Sequence, residues 1–109
     1  MNENNAAELF DTLASAPRLN VLRQLVIAGN KGMSAGDIAE AVGMSPSALS
    51  FHLSNMTERG IITQEKQSRS RIYRTDFNTL ADLVQFLLQD CCQGNQQLMQ
   101  CCQPSQSCC

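Results

Sequence analysis

All six cysteines of this 109-residue chain lie within its last nineteen residues, where they form three adjacent pairs. The pairs are Cys91-Cys92, Cys101-Cys102 and Cys108-Cys109. Thiolates are soft ligands for soft metal ions and metalloids, and reactive thiolates are also oxidised. Disulfides within so short a tail would close only small loops and could not stabilise the body of the chain. The pattern favours a ligand-binding or redox-active segment that is appended to a domain without cysteines.

The charge of the chain is unevenly distributed. The whole sequence has a net charge of −2, yet residues 46–75 hold five basic and two acidic side chains. The basic residues are Arg59, Lys66, Arg69, Arg71 and Arg74, and the acidic ones are Glu58 and Glu65. A basic face on an acidic protein is typical of proteins that bind phosphate groups, although an ordinary solvated hairpin has the same composition.

The N-terminus and the lengths of the apolar runs bear on location. Residues 1–5 are polar and lack the basic-then-apolar layout of a secretory signal. No apolar run approaches the ~20 residues needed to cross a bilayer. We therefore expect a soluble, cytoplasmic protein with no membrane partner. A chain of 109 residues is one small domain, for which dimerisation is a reasonable expectation.

Proline, glycine and capping residues indicate where the helices begin and end. The spacing of apolar residues predicts a first helix that ends near Ser15 and a second that starts at Pro17 and ends at Gly29. Ser34 is predicted to cap a short third helix, and Ser45 a fourth that ends at residues 59–60. Apolar residues recur at helical spacing in the first helix (Ala6, Leu9, Phe10, Leu13 and Ala14) and in the second, which is amphipathic (Leu19, Leu22, Leu25 and Val26). Leu49, Leu53 and Met56 form one inward stripe of the fourth.

A basic β-hairpin and a final helix follow. Residues 61–63 and 71–75 are rich in β-branched and aromatic side chains, and a polar tip at 66–70 separates them. Asp76 is predicted to cap a last helix whose apolar band is wider than one small core needs. The band comprises Phe77, Leu80, Leu83, Val84, Leu87 and Leu88, with Phe86 adding surface beyond it. We interpret the excess as a dimer contact alongside the first helix; an ordinary intramolecular core is the alternative.

The third helix, the fourth helix and the hairpin have the outline of a winged DNA reader. Such a reader places its second helix in the major groove, with residues near the helix N-terminus facing the bases. The wing arginines would reach the neighbouring backbone or the minor groove. His52 has two interpretations, as a phosphate contact or as a histidine that is bonded locally on the helix flank. The predicted DNA-binding residues are Ser45, Ser47, Ser50, Phe51, His52, Ser54, Arg69 and Arg71.

Several segments together carry a family resemblance. They are residues 9–19 (LFDTLASAPRL), Leu22, residues 34–43, residues 45–53 (SPSALSFHL), residues 59–62 (RGII) and residues 71–73 (RIY). Through them, residues 6–90 resemble the ArsR/SmtB family of metal- and metalloid-responsive repressors. The resemblance implies a mainly α-helical, winged helix-turn-helix fold with a small β-hairpin wing, and a homodimer formed through the first and last helices. It also implies binding to an inverted repeat in double-stranded DNA, repression until an inducer arrives, and no catalysis.

The sensor sites of this family differ between members, and this chain matches one group. Residues 34–40 lack the Cys-x-Cys motif of many arsenic-responsive relatives, and the last helix region has Asp76, Asp82 and Asp90 but no histidine for a zinc site. Cysteines at the end of the last helix resemble those of other arsenic-responsive members. The implied inducer is trivalent arsenic, as arsenite or an organoarsenical, with antimonite as a further candidate, and DNA binding needs no cofactor. The implied ligands are Cys91, Cys92, Cys101 and Cys102.

Thiol chemistry leaves other functions open. The alternatives are a repressor that responds to cadmium or zinc, a redox-responsive repressor, and a thiol-rich metal scavenger. Redox sensing is disfavoured because Cys91 and Cys92 follow Asp90 at a predicted helix C-terminus, and no basic residue follows Arg74 to stabilise a thiolate. The predicted division is a DNA-binding and dimerisation domain over residues 1–90 and a cysteine-rich, flexible, inducer-binding tail over residues 91–109. The role of the Cys108-Cys109 pair stays open.

Overall fold

A computed structural model describes residues 1–88 of the chain and shows helices surrounding a small antiparallel sheet. The helices are α1 (Glu3–Leu13), α2 (Ala16–Ala28), α3 (Ala35–Val42), α4 (Pro46–Glu58) and α5 (Phe77–Leu88), and the strands are β1 (Met33–Ser34), β2 (Ile62–Gln67) and β3 (Ser70–Thr75). A short 3-10 turn, Gly29–Lys31, connects α2 to β1. This architecture confirms the predicted class, mainly α-helical with a β-hairpin wing. No helix within residues 1–88 combines the length and the apolar character that crossing a bilayer requires.

Side-chain caps start three of the helices as the sequence predicts. Each cap oxygen accepts a hydrogen bond from the backbone N–H three residues ahead, which satisfies a donor that the helix itself leaves free. The distances are 3.2 Å for Ser34 to the N–H of Asp37, 3.3 Å for Ser45 to that of Ala48, and 3.1 Å for Asp76 to that of Thr79. These caps set the start of α3, of α4 and of α5.

The first two helices differ in detail from the prediction. Helix α1 ends at Leu13, and Ser15 has the extended backbone (φ −154°) of the residue that precedes α2. In α2 the core face is formed by Val21, Leu22 and Leu25, whereas Leu19 and Val26 are exposed. The apolar residues predicted at helical spacing are therefore only partly buried, since Leu19, Val26 and likewise Phe10 and Ala14 are exposed. Helix α2 is apolar on more than one side, so spacing alone does not identify its inner face.

The sheet contains one strand that the sequence does not reveal. Its order is β1-β3-β2, and β1 pairs with β3 through Met33 opposite Tyr73 and Ser34 opposite Ile72. Gly32 allows this approach, since a Cβ atom there would lie 2.6 Å from Ile72 Cγ2. The wing tip is also tighter than predicted: the pair Gln67–Ser70 closes a two-residue loop, with Ser68 at φ 54°.

One core holds these elements together. The buried apolar residues of α4, Leu49, Leu53 and Met56, lie at its centre with Ile61 and Ile62, as predicted for the inward face of that helix. Helix α5 contributes only Leu83 as a buried residue, with Leu80 and Phe86 packed partly against the core. Phe86 therefore lies on the inner side of α5. The prediction that it adds surface beyond the apolar band is wrong.

Candidate nucleic-acid interface

Helix α4 presents a continuous outward face that is polar apart from one aromatic ring. Because Leu49, Leu53 and Met56 are buried, the opposite side of the helix is exposed along its length. Phe51 is 63% exposed, an unusual state for a phenylalanine. The exposed residues of this face are Ser47, Ser50, Phe51 and Ser54, and Ser45 is exposed at the helix start. The structure thus places these five predicted DNA-binding residues together on one surface.

The N-terminus of α4 is suited to binding an anion. The hydroxyl of Ser45 accepts the N–H of Ala48, and Pro46 has no N–H to leave unsatisfied. The remaining free N–H groups of the first turn carry the positive end of the helix dipole. A phosphate group is the anion that this end would meet when the helix lies in a DNA groove.

His52 lies on the flank of this face and is bonded within the chain. Arg18 Nε donates to His52 Nδ1 over 3.0 Å, and Arg18 Nη1 donates to the carbonyl of Thr12 over 3.2 Å. The ring of Phe51 meets the imidazole edge-on, with the ring centroids 5.8 Å apart. Of the two interpretations of His52, the structure shows the local bond, and a contact to DNA stays a prediction. Sequence reasoning missed Arg18, whose position in the first turn of α2 was the available signal.

The wing has basic side chains in two different situations. Arg71 is exposed and its Nη1 donates to Gln64 across the hairpin over 3.2 Å, while Arg69 is exposed at the tip. Arg74 is less exposed, and its guanidinium donates to the carbonyl of Asn30 over 2.7 Å and lies 3.9 Å from Glu65. Arg74 therefore ties the wing to the turn before β1, and the positive charge available to DNA comes chiefly from Lys66, Arg69 and Arg71.

Arg59 also belongs to the fold more than to the DNA-binding face. Its Nη1 lies 3.5 Å from Glu8 Oε2, and this bridge joins the end of α4 to α1. Both side chains are largely exposed, so the pair contributes little to stability. The local positive charge counted from sequence therefore overstates what the wing and α4 present to a nucleic acid.

The predicted inducer ligands Cys91, Cys92, Cys101 and Cys102 lie outside the described residues, as do Cys108 and Cys109. The boundary between the predicted domain (1–90) and the predicted tail (91–109) lies there too and stays a prediction. Within the part of the chain that the structure describes, no three His, Cys, Asp or Glu side chains come together as a metal site.

Comparison with known proteins bears on this surface. Residues 13–65 match the sequence model of a helix-turn-helix domain. The chain is 32% identical over 68 residues to the HTH-type transcriptional regulator YgaV of Escherichia coli, covering 62% of this chain and 67% of YgaV. It is 33% identical over 76 residues to ArsR of Halobacterium salinarum, a candidate arsenical resistance operon repressor, covering 70% of this chain and 58% of that protein. The chain belongs to the ArsR/SmtB family of transcriptional regulators.

The relatives of this chain include a transcriptional activator as well as a candidate repressor. This chain is 26% identical over 95 residues to the transcriptional activator HlyU of Vibrio cholerae, covering 87% of this chain and 85% of HlyU. Among solved structures, an ArsR-like transcriptional regulator from Rhodococcus sp. RHA1 superposes with a TM-score of 0.71 at 23% identity, covering 88% of both chains. A homodimeric winged helix-turn-helix DNA-binding domain from Mycobacterium bovis gives a TM-score of 0.63 at 24% identity, covering 80% and 81%. These structural likenesses show the winged helix-turn-helix fold of this ArsR-family regulator.

Proposed function

We propose that this ArsR-family regulator is a cytoplasmic, homodimeric repressor that leaves its operator when trivalent arsenic binds its C-terminal thiolates. The observation that carries the proposal is the position of the cysteines. None occurs in residues 1–90, and the first pair follows Leu88, the last residue of α5 that the structure describes, by three and four residues. Thiols that follow α5 in the sequence would link inducer binding to the helix that the proposed dimer uses.

The dimer is supported by the outward face of α5. Phe77, Val84 and Leu87 are exposed there, and α5 packs beside α1, where Phe10 is also exposed. An isolated exposed apolar residue is ordinary, but several on two adjacent helices form a patch that favours a protein contact. The likeness to the homodimeric domain from Mycobacterium bovis agrees with this proposal.

Symmetry then determines the kind of DNA site. A two-fold dimer presents two copies of α4, so its operator should be an inverted repeat with half-sites ~34–36 Å apart, one turn of the double helix. Serine hydroxyls bond phosphates and bases with little selectivity, and Phe51 suits contact with a thymine methyl group. We therefore expect phosphate contacts to supply most of the affinity, and the base sequence of the operator is left for selection experiments.

The inducer is proposed from the chemistry of the donors. Trivalent arsenic is thiophilic and takes three thiolates as arsenite, or two when a methyl or aryl group occupies one position. Cys91 and Cys92 would supply two sulfurs. Cys101, which eight residues separate from Cys92, would supply a third, and closing a loop of that length has a modest entropic cost. The name of the Halobacterium relative, a candidate repressor of an arsenical resistance operon, points to the same element.

Release requires only moderate coupling. A coupling free energy of ~1–3 kcal/mol between two ligands changes each affinity by about 5- to 150-fold. By reciprocity, operator DNA should weaken inducer binding by the same factor. Inducer binding by the thiols that follow α5 in the sequence would shift the contact between protomers and thereby the separation of the two α4 helices.

The decisive experiment measures DNA release by several agents in parallel. A duplex is first selected from random DNA by binding to the wild-type protein, and a scrambled duplex serves as its control. Arsenite, methylarsenite, phenylarsenite, antimonite, cadmium, zinc and peroxide are then titrated while fluorescence anisotropy reports the bound fraction. We expect the arsenicals to release the DNA at the lowest concentrations. Release by cadmium, zinc or peroxide at lower concentrations than the arsenicals would show that this agent, and not arsenic, is the inducer.

Substitutions of cysteine by serine provide the matched controls. A variant with Cys91, Cys92, Cys101 and Cys102 replaced should bind the duplex and ignore arsenite. A variant with only Cys108 and Cys109 replaced should still respond. Loss of the response to arsenite alone on replacing Cys101 and Cys102 would show that the third sulfur is used only by inorganic arsenic. Equal affinity of the wild-type protein for selected and scrambled DNA would instead support a metal scavenger.

The sign of regulation needs a separate test because the relatives include the activator HlyU. A reporter downstream of the selected duplex should be silent when the protein is expressed and active after arsenite is added. Increased expression in the absence of inducer would show an activator. That result would leave the thiol site itself intact as a proposal.

A further inference from the structure

Arg18 stands in an electrostatically unfavourable position on its own helix. It is the third residue of α2, in the first turn, where the helix dipole disfavours a positive charge. Its guanidinium instead donates to the Thr12 carbonyl in the last turn of α1, over 3.2 Å, where the dipole favours a cation. Its Nε donates to His52 Nδ1 over 3.0 Å. The partners of Arg18 therefore lie on α1 and α4, and these contacts explain why it occupies this position.

The bond to His52 determines where the imidazole carries its proton. A guanidinium nitrogen has no lone pair to offer and acts only as a donor, so His52 Nδ1 must be the acceptor and unprotonated. The ring is then neutral and its single N–H is at Nε2. The structure gives Nε2 no hydrogen-bond partner within residues 1–88, and the half-exposed ring borders the DNA-facing surface of α4.

We propose that Arg18 is a positioning residue for DNA recognition, which holds His52 as a neutral imidazole whose Nε2–H donates to a phosphate oxygen of the DNA. This inference rests on the DNA-binding face of α4 proposed above. A phosphate is the expected acceptor because His52 flanks the outward face, and residues on the flank of a recognition helix meet the backbone that borders the groove. The ring of Phe51, 5.8 Å away and edge-on, restricts rotation of the imidazole.

The salt dependence of DNA binding distinguishes a neutral donor from a cation. Each phosphate neutralised by a cation adds about 0.9 to the log–log salt slope of DNA binding, whereas a neutral N–H neutralises none. Loss of the His52 contact should therefore weaken binding at every salt concentration without changing the slope. An imidazolium at His52 would instead reduce the slope when it is removed.

Two substitutions of His52 separate the roles of its nitrogens. In His52→Asn the side-chain oxygen lies near the position of Nδ1 and still accepts from Arg18, but the outer donor is lost. In His52→Gln the amide N–H lies near the position of Nε2 and keeps the outer donor without needing Arg18. Arg23→Ala is the matched control for Arg18→Ala, because Arg23 is an exposed arginine on the same helix without a hydrogen bond to α4.

The expected pattern of affinities follows, measured by anisotropy on the selected duplex at mildly alkaline pH. Arg18→Ala, His52→Asn and the double variant Arg18→Ala/His52→Asn should each bind about tenfold more weakly for each recognition helix, which is the scale of one hydrogen bond, with an unchanged salt slope. His52→Gln should bind close to wild type, and adding Arg18→Ala to it should have no further effect on affinity. Arg23→Ala should bind like wild type.

A spectroscopic measurement tests the inference without relying on a variant that folds. His52 is the single histidine of the chain, so the imidazole region of a long-range ¹H–¹⁵N correlation spectrum contains one set of signals. The wild-type spectrum at mildly alkaline pH should show protonated Nε2 and unprotonated Nδ1, and DNA should shift the Nε2 signal. A proton on Nδ1 in the free protein would overturn the inference.

Other outcomes would also overturn it, and they differ from a failure of the repressor proposal. If His52→Asn binds as tightly as wild type, or if Arg18→Ala behaves like Arg23→Ala, the positioning role is wrong although the protein binds DNA. If the wild-type protein selects no duplex, the repressor proposal fails. In that case an unshifted Nε2 signal on adding DNA refutes the phosphate contact as well.

Discussion

Leu87 is 60% exposed on the outward face of α5, and the proposed dimer would bury it. Replacing Leu87 by glutamine keeps a long side chain and a good helix propensity but removes the gain from covering apolar surface. Full burial of a leucine side chain contributes about 1.5–3 kcal/mol, so covering its exposed 60% contributes about 1–2 kcal/mol in each protomer. Because a two-fold dimer contains the residue twice, Leu87→Gln should weaken dimerisation by about 2–4 kcal/mol, or roughly 30- to 700-fold in the dissociation constant.

Sedimentation velocity over a dilution series measures this dissociation constant directly. Ile27→Gln is the matched control, because Ile27 is 75% exposed on α2 but lies beside Ala41 and Val42 of α3, away from the outward face of α5. The control should dimerise like wild type, and both variants should retain the helical circular dichroism of the folded chain. An unchanged dissociation constant for Leu87→Gln, or equal weakening by Ile27→Gln, would refute the assignment of the dimer contact to α1 and α5.

Five further substitutions test the wing, the turns and the cap of α4. Arg69→Ala should reduce the salt slope of DNA binding by about 0.9 for each chain. Arg74→Ala removes a contact within the fold, so it should lower the thermal midpoint of unfolding and change the salt slope less. Equal changes of slope would contradict the assignment of Arg69 to DNA and of Arg74 to the fold. Gly32→Ala should destabilise the fold by more than about 2 kcal/mol in urea unfolding, because a Cβ would lie 2.6 Å from a neighbouring side chain at φ +70°. Gly43→Ala, at φ +69° with open space, should cost only about 1 kcal/mol, and a cost as large as that of Gly32→Ala would contradict the steric reasoning. Ser45→Ala should lower stability by about 1 kcal/mol through loss of the α4 cap, measured in the same urea titration.

The elements that sequence predicts correctly depend on short-range signals. A serine or aspartate before a helix can satisfy an N–H only three residues ahead, so Ser34, Ser45 and Asp76 place three helix starts without any knowledge of the fold. The inward face of α4 is equally clear because apolar residues occur there at one helical spacing. The exposed serines and Phe51 of the candidate DNA surface follow from that face alone.

The features that sequence does not reveal depend on long-range contacts. Strand β1 has two residues, too few to show an alternating pattern, and it exists because Gly32 lets the chain approach β3. The partners of Arg18 are 6 and 34 residues away in sequence, so no local pattern connects them. The same limitation applies to Arg74, which the charge count assigned to the basic surface although its guanidinium is bonded to the carbonyl of Asn30.

Helix α5 packs against the core of its own chain through only a few side chains. Only Leu83 is buried, and Leu80 and Phe86 pack partly against the core, while most of the remaining apolar surface of α5 faces outward. In the proposed dimer the position of α5 would depend on the partner as much as on its own core. A coupling of ~1–3 kcal/mol is no larger than the gain from burying one or two apolar side chains. In the proposed mechanism, a ligand bound by the cysteines that follow α5 in the sequence would need only to repack this outward strip to separate the recognition helices from their half-sites, and the buried core would stay unchanged.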